Sequence, residues 1–195
     1  RDFNVKIAAI CLIIILTWIN TKGLKTSAWM GTVLLLLVFA GIFIITGFGL
    51  TSSHADLGSA FDLTTTNNQP VTFSAMFTAM LAAFWAYQGW ASVGYIGGEV
   101  KNMNRNIPKG ITIGIFIVIA VYLLVNTAYL SLLPIQTLEN INQTGSGIAA
   151  VEAVKVFWGR SGEVYNAVLI LISTLGCNHA TVISSWRVYY ATGVE

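Results

Sequence analysis

Residues 84–110 read FWAYQGWASVGYIGGEVKNMNRNIPKG. The first half of this stretch is apolar and aromatic, the Gln88-Gly89 pair interrupts it, and a basic turn rich in asparagine follows. A helix that breaks inside hydrocarbon leaves backbone groups without hydrogen bonds, at several kcal/mol per group. Such breaks persist where a cavity or ligand uses the freed groups. The stretch therefore predicts a membrane helix, broken near 85–91, that forms part of a binding site.

The composition indicates an all-α integral membrane protein. Of the 195 residues, 55% are hydrophobic and only 9% are charged, against about 25% charged in soluble domains. The net charge of +2 and the lack of a basic tract argue against nucleic acid as a partner. No cluster of His, Cys, Asp and Glu has metal-ligand spacing, so we expect no metal site. Cys11 and Cys177 lie in apolar segments and indicate no disulfide framework.

Five membrane segments are predicted within one membrane domain that covers residues 1–195. Their approximate ranges are 5–19, 27–48, 71–100 with the break near 85–91, 111–133 and 163–189. Most approach the roughly 20 residues needed to cross hydrocarbon. Residues 147–159 mix apolar and charged residues in a pattern typical of a short amphipathic helix at the membrane interface.

Charge predicts how these segments cross the cell membrane. Lysine and arginine occur at 20–26, at 101–110 and near the C-terminal end, whereas 49–70 contains neither. The positive-inside rule places the basic parts in the cytoplasm. The first segment then enters from outside without a signal sequence, and the chain ends directly after a helix. We therefore expect this chain to be an internal piece of a larger membrane protein.

The chain resembles the amino acid–polyamine–organocation (APC) superfamily, close to the bacterial and L-type amino acid permeases. Residues 84–90 resemble the F-A-Y-x-G-W pattern of the family's sixth helix. Residues 98–108 resemble its E-x-x-N-P-x-R-N pattern, which continues with an aliphatic residue and proline, and this is the most specific part. Residues 19–25 resemble the turn after the fourth helix, and 172–191 resemble the eighth helix.

The resemblance implies a twelve-helix, five-plus-five inverted-repeat (LeuT-like) fold, of which this chain holds helices four to eight. It implies a secondary active transporter of amino acids that works by alternating access, not an enzyme, with no cofactor. The implied partners are an amino acid substrate, the lipid bilayer and the missing helices of the same fold, with room for a co-transported ion or proton. The alternative is a non-transporting membrane scaffold or sensor that retains the permease fold.

The break and the resemblance together place the substrate site at Trp85, Ala86, Tyr87, Gln88 and Gly89. If the helix unwinds there, freed backbone groups face a cavity, and the next half-helix begins with its positive dipole end near mid-membrane. Trp85 is also expected to act as a gate, because a large flat side chain can occlude a cavity. The alternatives are a continuous helix in which Gln88 bonds to a neighbouring helix, and a Trp85 that packs or faces lipid.

Glu99 and Arg105 flank the basic turn and are predicted to form a cytoplasmic latch. A carboxylate at a helix C-terminus is disfavoured by the helix dipole unless it is paired. The alternative is two solvated charges at the interface. Pro108 is expected to open the next helix.

Two residues concern ion coupling. Leu36 stands at about the position where many members of the family carry a lysine that is held to replace a sodium ion, so the resemblance does not extend to that lysine. His179 is an ionisable residue within a span, which makes it a candidate for proton coupling. The alternative is that His179 only bonds neighbouring helices together.

Overall fold

A computed structural model describes residues 2–61, 72–145 and 147–193, and this part of the chain contains helices but no strand. The α-helices are α1 (Asp2–Thr21), α2 (Leu24–Thr51), α3 (Leu57–Ala60), α4 (Phe73–Ala86), α5 (Met103–Leu132), α6 (Ile135–Thr144) and α7 (Ala149–Gly193). A 3₁₀ helix covers Trp90–Glu99.

Four helical stretches of the described residues are long and apolar enough to cross a membrane, namely Phe3–Thr21, Lys25–Thr51, Met103–Leu132 and Ala149–Ser185. The segment expected at 71–100 is not among them, because its α-helix stops at Ala86. The fourteen residues of α4 rise about 21 Å, which is less than the roughly 30 Å of hydrocarbon. Residues 62–71, where part of the expected 49–70 loop falls, lie outside the described residues.

Helix α5 begins at Met103, eight residues before the start expected at 111, so most of the basic turn belongs to the helix. Asn102 precedes α5 in the left-handed conformation, with φ of 53°. Pro108 lies inside α5 rather than opening it. The first four N–H groups of any helix lack an intrahelical partner. Pro108 is the sixth residue, so it does remove one hydrogen bond, the one that would reach the carbonyl of Asn104.

Helix α7 joins the two elements that we expected at 147–159 and 163–189. Gly159 interrupts it with non-helical φ and ψ of 56° and −137°. A positive φ costs glycine little because it has no Cβ, so the kink falls at this residue. Helix α6 lies in a stretch for which the sequence predicted no element.

One compact unit comprises Ile42–Ala167. Its core lies where α5 ends, with Leu132, Leu133 and Ala153 buried together. The carbonyl of Ser131 accepts a hydrogen bond from the Asp56 amide at 2.8 Å. These contacts fix the end of α5 against the segment after α2 and the start of α7.

The other unit comprises Arg1–Gly41 and Val168–Glu195. Within it, α2 and α7 run antiparallel: His179 meets Ser27 near the start of α2. Farther along α2, a side chain at Gly41 would overlap Leu169. Small residues allow helix backbones to approach closely in membranes, and Gly41 provides that approach here.

Candidate binding site at a helix break

The chain changes from α-helix to 3₁₀ helix through residues 87–89. The amides of Tyr87 and Gln88 donate to the carbonyls of Phe84 and Trp85, each at 3.2 Å, which closes the last turn of α4. Gly89 then takes a left-handed φ of 110°. Residues with a Cβ rarely adopt this conformation. The Gln88-Gly89 pair therefore lies between the end of α4 and the start of the 3₁₀ helix.

Tyr122 of α5 holds the broken end of α4. Its hydroxyl donates a hydrogen bond of 2.8 Å to the carbonyl of Ala86, the last residue of α4. Its ring also packs edge-to-face on Tyr87, with 5.3 Å between ring centroids. A carbonyl at the end of a helix has no intrahelical partner, and here a side chain from a neighbouring helix supplies one.

Our sequence reasoning missed Tyr122. The available signal was a tyrosine inside an apolar span, because a buried tyrosine hydroxyl usually finds a hydrogen-bond partner. Its partner lies 36 residues away in the sequence, and no local pattern connects the two.

Two cavities border the break. The first, which we call the α5 cavity, has a volume of about 430 Å³ and is lined by Ala86, Tyr87, Gln88, Trp90, Val93, Val100, Asn106, Ile107, Gly110, Ile111, Gly114, Ile115, Val118 and Tyr122. The second, the α4 cavity, has about 670 Å³ and is lined by Met80, Ala83, Phe84, Tyr87, Gln88, Gly89, Trp90, Ala91 and Ile115. Both volumes fall in the range of small-molecule sites, about 300–1,000 Å³.

The structure brings four of the five expected substrate residues to these cavities. Ala86, Tyr87 and Gln88 line the α5 cavity, and Tyr87, Gln88 and Gly89 line the α4 cavity. Trp85 lines neither of the two, and 77% of its surface is exposed. The residues at the break, Gln88 among them, thus line the two cavities. The gate assigned to Trp85 stays a prediction.

Glu99 and Arg105 lie on either side of one turn. Glu99 ends the 3₁₀ helix and Arg105 belongs to the first turn of α5. The amides of Arg105 and Asn106 both donate to the carbonyl of Asn102 at 3.0 Å. The side-chain amide of Asn106 also donates to the carbonyl of Lys101, at 2.5 Å. The backbone of Asn102 and the side chain of Asn106 therefore shape the turn, and the ionic latch stays a prediction.

Among the residues that the structure describes, no three His, Cys, Asp or Glu side chains are grouped so that they could hold a metal ion. The polar side-chain groups that line the two cavities are the amides of Gln88 and Asn106, the hydroxyls of Tyr87 and Tyr122, and the indole N–H of Trp90. Such groups bind organic ligands by hydrogen bonds.

Apolar spans, together with a broken helix that borders a cavity, define a multi-pass membrane protein of the helical type. The family model described as amino acid permease matches residues 1–195. The chain therefore belongs to the amino acid permeases of the APC superfamily, and it is a multi-pass protein of the cell membrane.

Curated relatives share this family. The chain is 28% identical over 186 residues to the serine/threonine exchanger SteT of Bacillus subtilis (strain 168), covering 95% of this chain and 40% of the relative. It is 28% identical over 196 residues to the b(0,+)-type amino acid transporter 1 of Mus musculus, covering 98% of this chain and 38% of the relative. The human protein of that name is 27% identical over 195 residues. The chain spans about two fifths of the length of these relatives.

Proposed function

We propose that the full-length protein is a secondary active transporter of amino acids, and that the break at residues 86–89 contributes part of its substrate site. The observation that carries this proposal is the end of α4 at Ala86, beside a cavity and held by Tyr122. An unwound segment within a membrane protein is tolerated where it lines a cavity or is buried in protein. Membership of the permease family supports the same function.

The site would bind the carboxylate of an amino acid near the start of the 3₁₀ helix at Trp90. The first N–H groups of a helix lack intrahelical partners and carry a partial positive charge. The bulk of the substrate would occupy the α5 cavity. The helices that this chain does not contain would complete the site, as in a five-plus-five repeat with alternating access.

We further propose substrates with small, uncharged side chains. In the part of the chain that the structure describes, both cavities are lined by apolar, tyrosine, glutamine and asparagine residues and by no Asp, Glu, Lys or Arg. A charged side chain would lose its hydration there without gaining a partner, which is costly. A relative named as a serine/threonine exchanger agrees with this class and with exchange.

The first experiment measures uptake of labelled amino acids by the full-length protein in liposomes, with and without unlabelled amino acid inside. Transport predicts uptake that is stimulated by the internal amino acid and is strongest for small neutral substrates. A folded protein that binds amino acids but moves none would instead identify the scaffold or sensor. Uptake of charged amino acids alone would overturn the proposed substrate class.

Gln88→Ala tests whether the break is the site. Gln88 lines both cavities, so its loss should change the relative uptake of polar and apolar substrates by about fivefold, the equivalent of one hydrogen bond. Gln143→Ala is the matched control, because Gln143 is exposed on α6 and bonds to Glu139. If the two variants show the same substrate preference, the substrate site does not include Gln88 and lies elsewhere in the protein.

We also propose that Trp85 is the gate. In the full-length protein, Trp85→Ala should lower the uptake rate several-fold by leaving the bound substrate open to water. Trp29→Ala is the control, since Trp29 is similarly exposed, at 70% against 77%. Unchanged uptake in Trp85→Ala would make Trp85 a lipid-facing or packing residue.

The latch formed by Glu99 and Arg105 is a further part of this proposal. Glu99→Gln and Arg105→Gln should each alter uptake, and the double variant should be no worse than either one. A double-mutant cycle isolates their coupling, and independent, additive effects would exclude a latch.

A further inference from the structure

The α5 cavity is much longer than a single amino acid. Its lining follows one face of α5, on which Asn106, Gly110, Gly114, Val118 and Tyr122 recur every four residues. At a rise of about 1.5 Å per residue, this row is about 24 Å long. A small amino acid bound beside Tyr122 at the helix break therefore occupies only one end of the cavity.

The middle of the α5 cavity is apolar. Between Asn106 and Tyr122, the wall that α5 provides consists of isoleucine, valine and glycine, and Val93 and Val100 line the opposite wall. An ammonium or carboxylate group placed here would lose its hydration without gaining a partner, which is costly. This part of the cavity therefore suits a hydrocarbon chain better than an amino acid.

The 3₁₀ helix packs closely against α5 at the end of the cavity that is remote from the break. Gly97 is buried there, and a Cβ on it would lie 3.3 Å from Sδ of Met103 and 3.4 Å from Cδ1 of Ile107. Glycine therefore allows the two elements to form the facing walls of one slot. The exposed Gly110 and Ile115 leave this slot open sideways within the part of the chain that the structure describes.

Two exposed lysines lie at the same remote end. Asn106 lines the cavity, and its Nδ2 atom donates to the carbonyl of Lys101 at 2.5 Å, which places Lys101 at the end of the slot. Lys109 follows Asn106 by three residues, a spacing that puts both on the same side of a helix. If Glu99 pairs with Arg105 in the proposed latch, the two lysines still give this end a charge of +2.

We propose that the α5 cavity binds one acyl chain of an anionic phospholipid whose phosphate lies between Lys101 and Lys109. The hydrocarbon of a bilayer is about 30 Å thick and two chains deep, so one chain covers about 15 Å. This length corresponds to about ten residues of helix. A chain that starts beside Asn106 thus reaches the level of Ile115 and leaves the end at Tyr122 to the substrate.

The lysines select the lipid. Lipid chains are as apolar as the walls of the slot, so moving a chain from the bilayer into it brings no hydrophobic gain. Basic residues near the membrane surface attract anionic lipids, by about fivefold in affinity for each residue. A phospholipid with negative net charge should therefore bind more tightly than a neutral one with identical chains.

The bound chain lies between the 3₁₀ helix and α5, beside the end of the cavity assigned to the substrate. A ligand that prefers one arrangement of these two elements shifts the protein toward it. The lipid therefore regulates uptake. This effect on uptake rests on the proposed function, whereas the binding of lipid does not.

The first test labels the site in the full-length protein in detergent micelles. Phosphatidylglycerol and phosphatidylcholine, each with a photoreactive group at the end of one acyl chain, are crosslinked and the labelled peptides are identified by mass spectrometry. Phosphatidylglycerol should label α5 around 111–115 about fivefold or more above phosphatidylcholine. Equal labelling by the two lipids, or labelling confined to other segments, would overturn the proposal. Glycerol phosphate has the charge without the chain and should not compete; competition as strong as that of the unlabelled lipid would also overturn it.

The lysines are tested by Lys101→Gln combined with Lys109→Gln, which should abolish the preference for phosphatidylglycerol. Lys22→Gln combined with Lys25→Gln is the matched control, because it removes two exposed lysines from the turn between α1 and α2. If both double variants keep the wild-type preference, the phosphate does not lie at the end of the α5 cavity.

The chain is tested by Gly110→Leu, which should lower labelling of α5 by both lipids several-fold. A Cβ at Gly110 meets no atom within 4 Å, so the new side chain fits and fills the slot. Gly47→Leu on α2 is the control, since a Cβ there also meets no atom. Unfolding temperatures identify any variant that has misfolded, and the comparison of the two lipids on the wild type needs no variant. Wild-type labelling in a folded Gly110→Leu protein would exclude an acyl chain in the cavity.

The last test measures uptake in phosphatidylcholine liposomes with and without phosphatidylglycerol. Wild-type uptake should change several-fold with the anionic lipid, as should that of Lys22→Gln with Lys25→Gln, whereas Lys101→Gln with Lys109→Gln should not respond. Wild-type uptake that ignores the lipid, with labelling intact, would overturn the regulation. Absent uptake of every amino acid, with labelling intact, would instead overturn the proposed function and leave the lipid site standing.

Discussion

Residues 73–99 and helix α5 are consecutive apolar segments that both contain helix-breaking residues, yet only the first one breaks. Helix α5 includes Pro108, Gly110 and Gly114 and runs continuously for 30 residues. The first segment stops being α-helical at Ala86, after 14 residues. The difference lies at Gly89, whose φ is positive, whereas the described residues with positive φ include none from α5. Glycine and proline content alone therefore does not decide where a membrane helix breaks.

The two segments also differ in how their backbone groups are hydrogen-bonded. The break exposes the carbonyl of Ala86, and α5 supplies the hydroxyl of Tyr122 to it. The continuous helix thus stabilises the broken one. Gly110 and Gly114 of α5 leave open space beside the break, since a Cβ at either position would meet no atom within 4 Å. Gly110 and Gly114 of α5 leave room for the cavity, whereas Gly89 allows the left-handed backbone conformation at the break.

The largest effect is expected from Gly89→Ala in the full-length protein. A Cβ in the left-handed region costs roughly 1–2 kcal/mol, so the break should shift and uptake should fall by about tenfold or more. Gly94→Ala is the control, because Gly94 lies in the 3₁₀ helix in open space without a positive φ. Initial uptake rates, corrected for surface expression, would measure both. Equal rates would show that the conformation of Gly89 does not matter for transport.

Gly114→Leu should have the next largest effect. A Cβ at Gly114 would meet no atom within 4 Å, so the leucine side chain fits there and would project into the α5 cavity. By filling this cavity it should lower uptake by roughly fivefold. The helix itself should become more stable by up to about 1 kcal/mol, because leucine has a higher helix propensity than glycine. Gly47→Leu on α2 is the control, since a Cβ there also meets no atom. Uptake and thermal unfolding would be measured for both variants. Lower uptake with an unchanged unfolding temperature indicates that the cavity is blocked, whereas a lower unfolding temperature indicates misfolding. Loss of uptake in Gly47→Leu alone would contradict the assignment of the cavity.

Tyr122→Phe should have a smaller effect. It removes one hydrogen bond, worth about 1 kcal/mol, and keeps the ring contact with Tyr87. Uptake should fall about threefold to fivefold, and the unfolding temperature should decrease by a few degrees. Tyr95→Phe is the control, because Tyr95 is 56% exposed on the 3₁₀ helix. If the two variants behave alike, the bond to Ala86 does not stabilise the break.

These residues also show what the sequence could and could not predict. The pair Gln88-Gly89 predicted a break because a polar residue next to glycine in an apolar stretch has a local consequence for the backbone, and α4 ends at Ala86. Tyr122 could not be assigned, since its bond to Ala86 depends on how α4 and α5 pack. The start of α5 at Met103 was also missed. It depends on the left-handed Asn102, and asparagine adopts that conformation in only some contexts.

The smallest effect is expected from Pro108→Ala, which tests whether α5 is continuous despite its proline. Alanine restores an N–H group that can bond to the carbonyl of Asn104, four residues earlier. Near the start of a helix proline is tolerated better than in the interior, so the gain in stability should be below the interior value of about 3 kcal/mol. Uptake should be unchanged, because Pro108 does not line either cavity in the described part of the chain. Thermal unfolding and initial uptake rates would be measured on the same preparation. A several-fold change in uptake would mean that the proline, like Gly89, sets a backbone geometry that transport requires, and the contrast between the two segments would then fail.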